Sequence, residues 1–165
     1  MNKTKRLVFD GILTAAALTI FVAEAQLPTL IPVPGIKPGL SNIITLFALL
    51  NLSAPEAFMI LISRILLGAF AIGNPSVLLY SLAGGTGSLL TELLLLRVIG
   101  ENRVWAISAF GGIFHNFFQL ICAALITQST AVFWYLPVLI LSGLITGLFT
   151  GLCIYYANNK ISRFL

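Results

Sequence analysis

Six apolar stretches separated by short polar, proline- or glycine-bearing breaks organise this chain. They predict helices over residues 7–25, 40–52, 55–72, 76–97, 104–127 and 131–156, with short connections between most of them. A hydrocarbon core about 30 Å thick needs roughly 20 apolar residues at 1.5 Å each, and five of the stretches meet that length. The second, over residues 40–52, is too short to span alone. It is expected to be tilted, partly re-entrant, or fed by the segment before it.

The connection between the first two stretches differs from the others. It carries Pro28, Pro32, Pro34 and Pro38 with Gly35, Gly39 and a lone Lys37. Prolines fix φ and remove backbone donors, so this is a stiff, irregular segment with unpaired carbonyls, suited to cover the outer mouth of a helix bundle or simply to connect two helices. Orientation follows from the basic residues. With the N-terminus inside, Lys3, Lys5, Arg6, Arg97, Arg103, Lys160 and Arg163 all fall on the cytoplasmic side, against Lys37 outside. That bias predicts two cytoplasmic termini in a multi-pass protein of the cell membrane.

Composition agrees. Of 165 residues, 59% are hydrophobic and 8% charged, and mean hydropathy is +1.05. A soluble domain carries about 25% charged residues to keep its surface hydrated, so a soluble globular fold is excluded. The expected class is all-α, one integral membrane domain over residues 1–165 with six transmembrane helices. Asp10 and Glu24 interrupt the first apolar stretch, which therefore reads as a retained helix and not as a signal peptide. The net charge of +4 sorts by membrane side and forms no dense patch, so no nucleic-acid partner is implied. Cys122 and Cys153 lie in apolar stretches and are expected to be free thiols.

Ionisable and polar groups inside the spans are the functional candidates, because they are expensive in lipid. Arg64 lies mid-way along the third stretch, where it could pair with Glu92 or face a ligand. Glu24 is expected at the hydrated outer end of the first helix. His115, Asn116 and Gln119 sit together, with His115 and Gln119 one turn apart on one face. They can bond across helices or wall a pocket. Lys37, Asn42, Asn74, Tyr80 and Ser81 complete a candidate substrate site in the outer half. Trp105 and Trp134 read as interface anchors. Ala83-Gly84-Gly85-Thr86-Gly87-Ser88 lacks the lysine and the strand of a phosphate loop, and instead implies close packing or an unwound stretch.

Two small-residue stripes, Gly11–Ala15–Thr19 and Gly143–Gly147–Gly151, suit either internal packing or docking of another membrane subunit. One histidine without acidic or thiol neighbours implies no metal site, and no cofactor is expected. Catalysis has little footing: Asp10 is the sole aspartate of the chain, and no nucleophile–base set is visible.

The segment Pro34-Gly35-Ile36-Lys37-Pro38-Gly39-Leu40-Ser41-Asn42-Ile43-Ile44-Thr45-Leu46, with Ser81-Leu82-Ala83-Gly84-Gly85 and His115-Asn116-x-x-Gln119, resembles a bacterial membrane family labelled heptaprenyl diphosphate synthase component I or Gx transporter. Its size and topology are also similar to the substrate-binding (S) subunits of energy-coupling-factor (ECF) transporters. The transport resemblance implies binding of a small organic molecule, such as a flavin, quinone precursor or isoprenoid-like compound, and a coupling subunit driven by ATPases. Such subunits dock through an Ala-x-x-x-Ala pattern on helix 1, where this chain has Gly11, Ala15 and Thr19. The synthase label implies a separate catalytic subunit, since one aspartate cannot hold magnesium against diphosphate. A redox partner in flavin- or quinone-based electron transfer is the third implication. The expected function is a membrane substrate-binding or transport subunit.

Overall fold

The computed structural model describes residues 2–26, 37 and 39–161, with side chains through residue 158. Pro28, Pro32, Pro34, Gly35, Pro38 and Arg163 lie outside the described residues, as does the expected path of the proline-rich segment. The described elements are α1 (Lys3–Ala25), α2 (Asn42–Asn51), α3 (Ala54–Ile72), α4 (Pro75–Ile99), α5 (Val104–Thr127) and α6 (Leu136–Ile161). All but α2 are long and apolar enough to cross a membrane, and no strand occurs among the described residues.

The helix ends have local causes. Ser53 caps α3: its hydroxyl accepts from the Glu56 backbone N–H at 3.4 Å and lies 2.5 Å from Oε2 of Glu56, with Pro55 in the first turn. Gly73, at φ +69°, ends α3, and Asn74 caps α4 by accepting from the Ser76 N–H at 3.0 Å ahead of Pro75. The last helix starts at Leu136, later than the pattern predicts. Thr130–Tyr135 forms a 3-10 stretch capped by Ser129, and Pro137 suits the first turn of the helix that follows.

Burial is inverted relative to a soluble protein. Phe70 is 92% exposed and Trp134 87%, whereas Arg64 and Glu92 are each 2% exposed. Many large apolar side chains face outward, and the mid-helix ionisable residues Arg64 and Glu92 face the interior, as lipid requires. α2 lies centrally, touching α1, α3, α4 and α6. Its Leu46 and Leu49 join Ile60, Leu61, Ile65, Ile107 and Ile154 in the apolar core.

The most extensive contact joins α5 to α6. A Cβ on Gly147 would lie 2.7 Å from the Ala109 Cα, and one on Gly151 2.7 Å from the Trp105 Cα, so these backbones touch. The Gly143–Gly147–Gly151 stripe is therefore filled by α5 within the chain. Of the two uses expected for it, internal packing is the one seen here. The α1 stripe is different: Gly11, Ala15 and Thr19 are exposed, and a Cβ on Gly11 would meet nothing within 4 Å.

Candidate functional site

The short helix α2 decides where the site forms. Ten residues give a rod about 15 Å long, half the thickness of a bilayer core. Its N-terminal end meets Arg64 and His115, which lie near the midpoints of α3 and α5. Irregular backbone at that depth is tolerated only when buried in protein or lining a cavity. The turn before α2 fulfils this condition. The Asn42 N–H bonds the Gly39 carbonyl at 3.0 Å, and the Ile43 N–H bonds the Leu40 carbonyl at 3.1 Å. Gly39 has φ +85°, and a Cβ there would fall 2.8 Å from the His115 ring. Backbone conformation and space both demand glycine.

Glu24 holds this turn from α1. Its Oε1 accepts from the Gly39 N–H and from the Leu40 N–H, the latter at 3.0 Å. The residue is 4% exposed, which corrects its expected placement in outer-surface water: the turn at Gly39 and Leu40 packs on the end of α1. From α3, Arg64 donates through Nη1 to the Ser41 hydroxyl and through Nη2 to Oδ1 of Asn42. The anticipated Arg64–Glu92 contact is not formed. The salt bridge found among the described residues joins Arg6 and Glu56 at 3.4 Å, between α1 and α3.

Lys37 enters from the loop. Its backbone N–H donates to Oε1 of Gln119 at 3.2 Å, and its Nζ lies 3.8 Å from the Phe21 ring centroid. The Arg64 guanidinium lies 5.7 Å from the same ring, so Phe21 offers its face to two cations. Burial holds the Lys37 ammonium down to about 8; Glu24 opposes that shift and Arg64 adds to it.

His115 bridges the two halves, with Nδ1 2.9 Å from the Asn42 amide nitrogen and Nε2 3.0 Å from that of Gln119. Both amide oxygens are already engaged, by Arg64 and by the Lys37 N–H. A neutral imidazole accepts at only one nitrogen, so one of these two contacts is not a hydrogen bond. Gly84 makes room on α4: a Cβ there would lie 2.7 Å from Gln119. The glycine run of α4 thus serves close packing.

Between these groups lies a small, partly open space of about 10 Å³ bounded by Phe21, Glu24, Lys37, Arg64, Ser81 and His115. It has room for about one water. Its walls carry two cations and one carboxylate. Nζ of Lys37, Nε of Arg64 and Oε2 of Glu24 are buried without a hydrogen-bond partner.

Lys37, Asn42, Arg64, Ser81, His115 and Gln119 thus converge. Three other candidates lie elsewhere. Asn74 caps α4, and Tyr80 packs with Leu120, Ala123 and Leu139. Asn116 donates to the Leu139 carbonyl at 2.8 Å, tying α5 to α6. Glu24, Phe21 and Ser41 belong to the cluster without having been singled out for it. Only the acidic residue in an apolar stretch carried a sequence signal.

Residues 13–157 match the family model described as Heptaprenyl diphosphate synthase component I. No curated protein and no solved structure matches the chain.

Proposed function

The chain belongs to the heptaprenyl diphosphate synthase component I family, and we propose that it is a non-catalytic membrane subunit binding a small organic molecule through an anionic group. One observation carries this reading: the N-terminal end of a half-length helix meets two buried cations, Lys37 and Arg64, that face a single carboxylate. Discontinuous helices in transport proteins direct their N-termini at anionic substrate groups, where the helix dipole favours negative charge. The space is far below the several hundred Å³ of an open ligand pocket. A single anionic oxygen fits it in the place of a water, and the remainder of the ligand lies outside it.

The distribution of basic residues places the loop side outside the cell, which favours uptake by an S-like subunit acting with an ATPase-driven coupling subunit. The family description favours a second reading, in which the ligand is a prenyl diphosphate and the partner is the catalytic synthase subunit. The sole aspartate, Asp10, leaves this chain without the paired carboxylates that hold magnesium on diphosphate.

Affinity purification from a gently solubilised native membrane separates the two readings. An ATPase-bearing coupling complex supports uptake, and a prenyl transferase supports the synthase reading. Chain elongation by the purified chain alone, supplied with magnesium and an allylic diphosphate, would refute a non-catalytic role.

A further inference from the structure

A second small space meets the first at Gly39, and its chemistry is opposite. It measures about 10 Å³ and is walled by Glu92 and Ser88 of α4, Ser108 of α5, Thr150 of α6 and Asn42 of α2. That volume accommodates one water or one bare monovalent cation.

Hydrogen counting distinguishes these occupants. Each hydroxyl has one hydrogen to give. Ser88 gives its own to Oε1 of Glu92 at 3.2 Å. Thr150 gives its own to the Gly147 carbonyl at 3.0 Å. In the 2.8 Å contact between Ser108 and Thr150, Ser108 is then the donor. All three hydroxyl oxygens are left with lone pairs only. Oε2 of Glu92 is buried without a hydrogen-bond partner, on a residue 2% exposed. The guanidinium of Arg64 is committed to Ser41 and Asn42 and does not contact this carboxylate. The hydroxyls and the Glu92 carboxyl group therefore bring oxygen acceptors together in one buried place.

We propose that this cavity is a binding site for a dehydrated monovalent cation of sodium size, held by the Glu92 carboxylate and the oxygens of Ser108 and Thr150. One carboxylate with neutral oxygens suits a single charge. Divalent ions call for more carboxylates, and no cluster of three or more His, Cys, Asp or Glu occurs among the described residues. Gly39 borders both spaces, so a cation at Glu92 would brace the turn that carries the first site. The proposal stands independently of the function assigned to that first site.

The test is thermal unfolding of the purified full chain in detergent, with NaCl exchanged for choline chloride at constant ionic strength. The expected result is a saturable, sodium-specific rise in Tm, about 5 °C at a hundredfold excess over Kd. Glu92→Gln removes the rise, and Thr150→Val, which keeps the shape but not the oxygen, raises the half-saturating concentration about tenfold. If Glu92→Gln fails to fold, sodium NMR linewidths with the wild-type chain and Thr150→Val give the same reading. A wild-type Tm that responds to pH but not to sodium means a protonated Glu92 and overturns the proposal. A sodium shift that persists in Glu92→Gln overturns the assigned site.

Discussion

Arg64→Leu is the perturbation that bears most directly on how the site is held. The guanidinium is 2% exposed and donates to both Ser41 and Asn42, at the turn where α2 begins. Hydrogen bonds to charged groups contribute about 1.5–3 kcal/mol each. Neutral interhelical bonds in membranes average only about 0.6 kcal/mol, so the charge decides the size of the effect. Leucine removes both donors and leaves the Ser41 hydroxyl and the Asn42 carbonyl short of partners in an apolar interior. The expected loss is about 3–5 kcal/mol, or a Tm lower by roughly 6–20 °C for a chain of this size. Fluorescence of Trp105 and Trp134 during heating in detergent reads it. Arg64→Lys, which keeps the charge but not the fork, should fall between. In a double-mutant cycle with Asn42→Ala, the two losses should be non-additive by about 0.5–3 kcal/mol. A change under about 0.5 kcal/mol in Arg64→Leu, typical of an exposed position, would refute the argument.

Four further outcomes are expected. Gly147→Ala should cost about 1–3 kcal/mol because its Cβ would fall 2.7 Å from the Ala109 backbone, whereas Gly11→Ala should be neutral or stabilising by about 0.5–1 kcal/mol. Thermal melts compare the two, and Ala15→Leu on the exposed α1 stripe should abolish co-purification of a partner without lowering the Tm. Retention of an anionic ligand should decline as pH rises through about 8, since Lys37 is charged below that value and neutral above it; retention unchanged from pH 6 to about 10 would show that its charge is not used. An impermeant thiol reagent on whole cells should label Gln26→Cys and not Asn158→Cys, and the reverse pattern would invert the orientation.

The sequence made the helices legible because lipid demands long, uninterrupted apolar runs, and five of the six segments are such runs. The short sixth was visible as an anomaly, and its shortness placed the site: a helix half the membrane's depth must end on something polar. Arg64, His115 and Gln119 were legible for the related reason that polar groups in apolar stretches need partners, and Lys37 as the lone cation of the proline-rich connection. What escaped was the depth of the segment from Gly39 to Ser41. Counting along α1 puts Glu24 at the surface, but that turn folds over the helix end and buries it. Arg64 likewise found Ser41 and Asn42 because α2 begins beside it, which no spacing along the chain reveals. Asn74 was read as a ligand group when its position before Pro75 already marked a helix cap. The two glycine stripes look alike in sequence and differ only in whether another helix occupies the face.

The central claim is that Lys37 and Arg64 hold the anionic group of a ligand. Native mass spectrometry of the gently solubilised chain tests it most directly, comparing wild type with Lys37→Met and with Asn74→Ala, a residue remote from the cluster. A small anion should co-purify with wild type and Asn74→Ala and be lost from Lys37→Met. A neutral or cationic ligand, or equal occupancy in Lys37→Met, would contradict it.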